Sequence, residues 1–358
     1  MPIQTAIDSI GNNQGSPFGF KNRIINGAMV IDQRNAGASV TPGTGFVYNI
    51  DRWYTYAAQS SKISVQRNAG SVTPPPGFNY YLGVTSLSAF SPAAGDQFLL
   101  GQSIEGYNVA DLDWGTSTAK DITLSFWVRS SLSGQFSATI ESLDGNNAYV
   151  APYTISSTNT WEYKTLTIPG RKTGTWEKTI YNGMYVLWNL GNGTTFQTSS
   201  TNSWMSNVNA ATGDNKIVGT NGATWYITGV QVEKGTQATS FDYRPFGYEF
   251  ALCQRYFECN LNYGTTIANF TGNNNSAGVR AMYVSSNGAG AGMGWNHDWK
   301  VPKRTTPTVT IYNSSSPYTA GAISGGSSPS ITNTSTNSAF IYANGNNMYF
   351  NFIVEAEL

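Results

Sequence analysis

The feature that most constrains this fold is a two-residue alternation of apolar and polar side chains over many short segments. In residues 121–131, Ile122, Leu124 and Phe126 fall on one side of an extended chain and mostly polar residues on the other. This period is typical of a β-strand that buries one face. The same period recurs in residues 62–68, 134–147, 161–170, 183–191, 224–235 and 348–358. Because long helical patterns do not separate these segments, the sequence predicts an all-β fold of antiparallel sheets packed as a β-sandwich.

The composition excludes several classes of protein. Charged residues make up only 11% of the chain, so Ser, Thr, Asn and Gln must supply most of the polar surface. The 20 basic and 20 acidic residues cancel, which leaves no basic stripe for nucleic acid and no attraction to an anionic membrane. Apolar runs stay well short of the roughly 18 residues that span a bilayer. The first fifteen residues have no signal-peptide pattern. If the protein works outside a cell, release by lysis as a virion part is the simplest route.

Changes in pattern divide the chain into three parts. Residues 1–22 carry Gly, Asn, Ser and Pro with few spaced apolar residues, which predicts an extended N-terminal arm that anchors to a partner surface. An unattached terminus is the alternative. Residues 23–245 contain the main run of strand patterns and predict one β-sandwich domain. Residues 246–358 predict a smaller C-terminal β domain, a short helix followed by a second β-sandwich.

The junction between the two β domains shows a change of period. Within 224–235 the alternation places Tyr226, Thr228, Val230 and Val232 on one face of a strand.

After Pro245 the spacing becomes helical. Phe250, Cys253 and Phe257 lie three and four residues apart within 248–258, which predicts a short helix at the domain boundary. The start of the next strand is the alternative for this segment.

Two further local predictions concern the ends of the β pattern. The apolar stretch within residues 22–35 predicts a first strand. Residues 343–347, with Asn344 followed by Gly345, predict a hairpin turn between the last two strands, because this dipeptide favours the tight turns of hairpins.

Several segments resemble phage tail-fibre and related virion proteins. Residues 22–37 and 48–54 resemble the opening of such proteins, 121–131 and 227–245 their carbohydrate-binding-module-like jelly-roll domain, and 251–257 and 301–312 the C-terminal β domain that follows. The resemblance implies a jelly roll in residues 23–245 and a homotrimer. It also implies a tail fibre or receptor-binding protein, with other virion proteins and host-surface polysaccharide as partners. A capsid decoration or collar protein with a purely structural role is the alternative.

Catalysis is the competing class of function. His297 is the only histidine and is followed by Asp298, an arrangement that we expect on a surface loop, and no nucleophile motif accompanies it. A glycosidase-type pair of acids, for instance among Glu105, Asp111 and Glu141, stays open because it has no sequence signature. We expect a protein that is not an enzyme.

No cofactor and no catalytic metal are expected. Residues 111–114 and 143–147 carry acidic side chains that leave a structural calcium ion open, although neither matches a complete calcium loop. Cys253 and Cys259 are too few for a disulfide framework or a zinc site and are predicted to be small buried apolar residues.

Glycan binding is better supported than catalysis. The chain has 10 Trp, 21 Tyr and 17 Phe, and aromatic rings can hold the apolar C–H faces of sugars while amides bind the hydroxyls. Tryptophans in loop-like context are the candidate ligand-binding residues: Trp114, Trp176, Trp204, Trp295 and Trp299. Each of these tryptophans has an alternative role: it could fill one end of the sandwich or lie in a trimer interface, since such interfaces are also rich in aromatic residues.

Overall fold

The computed structural model describes residues 20–265, 280–282, 292–313, 324–326 and 330–358. In this part of the chain the regular structure is nearly all β, with a single α-helix. The all-β class predicted from the alternation is therefore confirmed.

Fourteen strands lie before the helix. They are β1 (Gly45–Ile50), β2 (Trp53–Ala57), β3 (Ile63–Arg67), β4 (Leu82–Ser86), β5 (Phe98–Glu105), β6 (Ile122–Ser130), β7 (Gly134–Glu141), β8 (Ala148–Ile155), β9 (Glu162–Ile168), β10 (Asn182–Asn189), β11 (Gln197–Thr198), β12 (Trp204–Met205), β13 (Ala210–Ala211) and β14 (Thr224–Lys234). Short 3-10 turns lie at Ala69–Ser71, Gly106–Asn108, Ala110–Leu112, Thr194–Phe196 and Ile217–Gly219.

Twelve of these strands form two large antiparallel sheets that face each other, and β11 pairs parallel with β13. One sheet has the order β1-β2-β5-β10-β7-β8-β12 and the other β3-β4-β14-β6-β9. The inward faces enclose one core, in which Trp188 lies 5.8 Å from Trp53 and 6.4 Å from Trp225 between ring centroids. Ile122, Leu124 and other inward residues of β6 are fully buried in this core, as their alternation predicts.

The predicted shared face of Tyr226, Thr228, Val230 and Val232 in β14 is wrong. A β-bulge shifts the pairing with β6 between Thr228 and Gln231. Its extra residue reverses the alternation, so Val230 and Val232 enter the core while Tyr226 packs outside the sheet. A glycine is needed at position 229 of this bulge. Gly229 has a φ of +61°, which residues with a side chain rarely adopt, and the ring of Phe78 lies 2.6 Å from where a Cβ would stand, so a larger residue is excluded.

The predicted first strand within residues 22–35 is also wrong, since this segment forms a loop. Asn26 and Met29 both have positive φ angles, which interrupt an extended chain. The Asn26 amide donates to the carbonyl of Ile31 at 2.7 Å and accepts from its N–H at 2.9 Å, closing the loop. Near its start, Asn22 is buried and bonds to Val230 and Val232 of β14.

The remaining elements are helix α1 (Phe246–Gln254) and strands β15 (Phe257–Cys259), β16 (Arg280–Met282), β17 (Gly292–Asp298), β18 (Thr308–Asn313), β19 (Ser324–Gly326), β20 (Ser330–Thr332) and β21 (Ser338–Glu355). The predicted helix is present and buries Cys253. Phe257, predicted on the same helical stripe, instead begins β15, because the chain turns out of the helix at 255–256 and pairs with β21.

The predicted hairpin at Asn344 and Gly345 is wrong, because β21 runs unbroken through both residues. Asn344 pairs with Gly292 of β17 and Gly345 pairs with Gly326 of β19. Ladder bonds with strands distant in sequence therefore override the local turn preference. All six other C-terminal strands pair antiparallel with β21.

The C-terminal strands are fastened to the sandwich by apolar and ionic contacts. Ile25 and Ile31 pack with Cys253 and Tyr256 in a small buried cluster. Beside it, Glu357 receives the guanidinium groups of Arg34, at 2.9 Å, and Arg52. The two sandwich sheets lie within residues 45–234 and the C-terminal sheet within residues 257–355. The domain boundaries predicted from the sequence stay predictions. The arm assigned to residues 1–22 also stays a prediction, because residues 1–19 lie outside the described residues.

We expect Glu357→Gln to lower the free energy of unfolding by about 3–5 kcal/mol, because it leaves the buried guanidinium group of Arg52 without its counter-charge and removes one of the two carboxylates that bind Arg34. Glu355→Gln is the matched control. Glu355 also binds Arg34, at 2.8 Å, but its side chain is 38% exposed, so its loss should cost less than about 1 kcal/mol. Urea unfolding followed by tryptophan fluorescence measures both, and equal effects would contradict the ionic attachment.

Candidate functional site

A cleft of about 290 Å³ lies on the sandwich sheet β1-β2-β5-β10-β7-β8-β12, on its outer face, which points away from the core. We call it the aromatic cleft. It is lined by Phe46, Tyr54, Tyr56, Gln97, Leu99, Glu141, Tyr185, Leu187, Phe196, Asn207 and Asn209. Alternation along the strands builds its floor: Trp53 of β2 points into the core, so Tyr54 and Tyr56 point outward.

The aromatic side of the cleft is built by β1 and β2. Phe46 is 62% exposed although it is a large apolar residue. It meets the rings of Tyr54 and Tyr56 edge-on, with centroids 5.2 and 5.0 Å away. These edge contacts hold Phe46 on the sheet surface and leave ring area free for a ligand.

The polar side of the cleft is built by β7 and the segment 194–209. Asn207 N–H donates to Gly145 carbonyl at 2.8 Å, and Asn209 N–H donates to Phe196 carbonyl at 3.0 Å. These backbone bonds fix both side-chain amides at the cleft. Asn209 in turn donates a hydrogen bond to the Glu141 carboxylate.

Burial raises the pKa of Glu141 to about 7, well above its ordinary value of 4.5. The hydrogen bond from Asn209 opposes this shift and the nearby Asp144 adds to it. Glu141 therefore changes charge near neutral pH. As a carboxyl it can donate one hydrogen bond, and as a carboxylate it can only accept.

The aromatic cleft combines rings, amides and one titrating carboxyl group, without a fixed basic residue in its lining. Such a site suits a neutral amphipathic ligand with both C–H faces and hydroxyl groups. These residues are not among the candidates predicted from the sequence, which are tryptophans in loop-like context. The sequence contains one signal for the cleft floor: Tyr54 and Tyr56 alternate with Trp53 and so lie on the other face of the strand. Alternation alone, however, does not tell which face of the strand a second sheet covers.

The structure brings three of the five predicted tryptophans together. The ring centroid of Trp114 lies 4.7 Å from Trp176 and 5.3 Å from Trp204. Trp114 and Trp176 are buried parts of the main core, whereas Trp204 is partly exposed and its indole N–H donates to Pro169 carbonyl at 3.1 Å. This arrangement agrees with the alternative role of plugging the sandwich, and a role for these three in binding glycans stays a prediction.

Of the other two predicted tryptophans, one lies in a strand of the C-terminal sheet and one directly after it. Trp295 lies within β17, paired with Ile341, and not in a loop. Trp299 is buried, and its indole N–H donates to the carbonyl of Ser335 at 3.0 Å. A role in glycan binding stays a prediction for both. Of the four predicted tryptophans whose side chains the structure describes, Trp114, Trp176, Trp204 and Trp299, none lines the aromatic cleft.

The residues considered for catalysis lie in separate places. His297, expected on a loop, is buried in β17 with its ring 4.7 Å from that of Phe352. Glu105 binds Arg255 at 2.6 Å. Asp111 binds Arg23 at 2.7 Å. Of the three acids considered, only Glu141 reaches the aromatic cleft.

The metal and cysteine predictions concern residues outside the lining of the aromatic cleft. In the described ranges no group of three or more His, Cys, Asp or Glu side chains could hold a metal ion. Asp144 accepts hydrogen bonds from Ser142 and Asn146 within its own turn. Cys253 and Cys259 are free and buried, as predicted.

No helix in the described part of the chain is long and apolar enough to cross a membrane.

Comparison with known proteins finds similar solved structures. A bacteriophage CBA120 tailspike protein 4 enzymatically active domain aligns with 57% of this chain and 22% of its own, at 15% identity and a TM-score of 0.30. The module TmCBM61 in complex with β-1,4-galactotriose aligns with 51% of this chain and 88% of its own, at 10% identity and a TM-score of 0.28. A family 11 carbohydrate-binding module from Clostridium thermocellum aligns with 56% of this chain and 100% of its own, at 12% identity and a TM-score of 0.27. No protein-family model and no curated protein matches the chain.

The raised pKa of Glu141 predicts a pH dependence of stability. Between about pH 4.5 and 7 the folded state holds the Glu141 proton more tightly than the unfolded state, so stability falls as pH rises through this window. Glu141→Gln should therefore match the parent protein at pH 4.5 and exceed its unfolding free energy at pH 8 by at most about 3 kcal/mol.

Glu162→Gln is the control of opposite sign. Its partial burial is outweighed by hydrogen bonds from Lys164 and from backbone N–H groups, which keep the pKa of Glu162 below its ordinary value. Removing that carboxylate should lower stability at pH 8. Urea unfolding at both pH values checks the pair, and a Glu141→Gln protein less stable than the parent at pH 8 would contradict the buried carboxyl.

Proposed function

We propose that this chain is a structural virion protein of a tailed phage, a tail fibre or receptor-binding protein that attaches to host-surface glycans through the aromatic cleft. It acts by binding and is not an enzyme. The observation that carries the proposal is the exposed Phe46 ring facing Glu141, Asn207 and Asn209 across a floor of strand tyrosines.

Sugar chemistry matches this arrangement. A pyranose ring presents a patch of C–H groups on one face, which packs against an aromatic ring, and hydroxyl groups at its rim. The amides of Gln97, Asn207 and Asn209 can both donate to and accept from hydroxyls. Aromatic walls with a few placed polar groups are the usual composition of a small-molecule site.

The geometry also argues against hydrolysis at the aromatic cleft. A glycosidase needs two carboxyl groups on either side of the scissile bond, about 5–9 Å apart. Among the described residues, Glu141 is the only acid in the cleft lining. Asp144, the nearest acid that affects it, is held in its own turn by Ser142 and Asn146.

The virion assignment rests on the resemblance of segments such as 22–37 and 121–131 to tail-fibre proteins. As part of this assignment we propose that the protein is a homotrimer and that its N-terminal segment attaches it to other virion proteins. The low net charge is compatible with binding both to glycans and to other virion proteins, because neither interaction is proposed to use electrostatic steering. A capsid decoration or collar protein is the alternative, and it requires no glycan ligand.

Glycan binding is tested with the full-length protein on an array of neutral oligosaccharides. We expect selective binding that Tyr56→Ala weakens at least about tenfold, because the ring forms part of the cleft floor. Tyr163→Ala is the control, since Tyr163 is 44% exposed on β9 of the other sheet. Unchanged thermal unfolding shows that each variant is folded. An array without selective signal would favour the decoration or collar role.

Attachment through the N-terminal segment is tested by deleting residues 1–19. The deletion stops before Asn22, whose buried hydrogen bonds to β14 belong to the sandwich. We expect a protein with unchanged thermal unfolding that no longer enters phage particles, as measured by particle purification and immunoblotting. Normal incorporation of the truncated protein would contradict the anchoring role.

A further inference from the structure

Glu141 adjoins the tyrosine rings on the floor of the aromatic cleft. It pairs directly with Tyr185 across β7 and β10, so both side chains point to the outer face with Cβ atoms about 5 Å apart. Further along the floor, Tyr54 of β2 reaches over β5 because Gly101 has no side chain there. A Cβ on Gly101 would lie 3.2 Å from the Tyr54 hydroxyl oxygen and 2.7 Å from Leu187. The carboxyl group and the rings therefore lie on one surface.

The Glu141 carboxylate has a hydrogen bond but no basic partner among the described residues. The hydrogen bond comes from Asn209, whose amide oxygen accepts from Asn192 at 2.6 Å, so that its NH2 group is left for Glu141. In the described part of the chain, the cleft lining contains no Lys, Arg or His. Burial raises the pKa of Glu141, and the nearby Asp144, which is also negative, raises it further. An ionised Glu141 is therefore a charge that the fold does not neutralise.

Two other buried acids have a basic partner within hydrogen-bonding distance. Glu105 binds Arg255 at 2.6 Å, and Glu258 binds Lys303 at 2.7 Å. Each of these pairs presents little net charge to its surroundings. Glu141 differs because it lines a cleft that a ligand can enter. Its charge therefore acts on whatever is bound there.

The charge of Glu141 acts across the floor of the cleft. Burial raises the pKa of Tyr185, and the Glu141 carboxylate raises it further. Burial is also the main reason for the raised pKa of Tyr54, and Glu141 again contributes. A phenolate at either position would be a second negative charge on this surface, and Glu141 opposes it. The same repulsion disfavours a negatively charged ligand group in contact with these rings.

We propose that Glu141 makes the aromatic cleft selective against acidic sugars, so that its ligand is a glycan segment without carboxylate, phosphate or sulfate groups. This rests on the proposed function and adds to it the residue that decides the charge of the ligand. Ring faces and amides bind neutral and acidic sugars alike. A carboxylate without a basic partner distinguishes them, because it repels the acidic sugar.

The selectivity depends on pH, because the pKa of Glu141 is about 7. Three side chains face Glu141 from the neighbouring elements: Tyr185 on β10, Ala148 on β8 and Asp144 in the following turn. Hydrogen bonds, above all from Ser142, keep the pKa of Asp144 low, and the raised pKa of Tyr185 keeps it neutral. A sugar carboxylate, like that of a free aspartate, stays ionised at pH 5.5. Acidic sugars should therefore be rejected more strongly at pH 8 than at pH 5.5.

The test compares two forms of one oligosaccharide that differ in charge and hardly in shape. The neutral oligosaccharide with the strongest array signal is oxidised at its primary hydroxyl groups to carboxylates, and part of this product is converted to primary amides. Titration calorimetry with the full-length protein gives both affinities. We expect the amide form to bind about tenfold more tightly than the carboxylate form at pH 8, and the ratio to fall to about twofold at pH 5.5.

Glu141→Gln should lower the ratio at pH 8 to about twofold and remove most of its pH dependence, with Asp144 responsible for what remains. Glu162→Gln is the matched control. It removes a carboxylate from β9 of the other sandwich sheet, so the tenfold ratio and its pH dependence should persist. Cooperative thermal unfolding shows that both variants are folded.

The outcomes separate this inference from the proposed function. Equal affinities for the amide and carboxylate forms in the parent protein, or loss of binding by both forms, would overturn selection by charge and leave binding of the neutral oligosaccharide intact. A tenfold ratio that persists in Glu141→Gln would also overturn the inference, because another group would then be responsible. Absence of any array signal would overturn the proposed function and the inference with it.

Discussion

The contact on which the rest of the structure depends is the ionic attachment of the C-terminal residues to the sandwich. Arg34 and Arg52 are mostly buried and would be costly without a counter-charge, which Glu357 supplies from more than 300 positions away in sequence. Arg255 and Glu105 add a second ion pair across the same boundary. Together these pairs hold the residues after the sandwich against its strands and loops.

The attachment gives the two faces of the sandwich different roles. Between the sheets, packing of rings such as Trp53, Trp188 and Trp225 stabilises the fold. On the outer face, tyrosines of β2 and β10, two of the same strands, line the aromatic cleft. A chain with few charges can use hydroxyls, amides and ring faces for recognition, and those groups match the chemistry of neutral sugars.

Glu141 shows how a single position combines stability and recognition. Its carboxyl group sits in the cleft wall between Asn209 and the turn that contains Gly145. Burial there destabilises the charged form of the carboxyl group. The side chain thus lowers the stability of the fold at neutral pH, and in the proposed function it is a hydrogen-bonding partner for a sugar.

The sequence by itself determined the all-β class, the inward face of β6 and the short helix with its buried cysteine, because these follow from local periodicity. Alternation also placed Tyr54 and Tyr56 opposite Trp53. Only the tertiary structure decided where that periodicity fails. The bulge at Gly229, the loop closed by Asn26 and the unbroken β21 through Asn344 each depend on partners distant in the chain. The cleft belongs to this second group, since strands β1, β2, β5, β7 and β10 and the segment 194–209 meet there. Local sequence encodes which side a residue faces, and long-range packing decides whether that side is covered or open to a ligand.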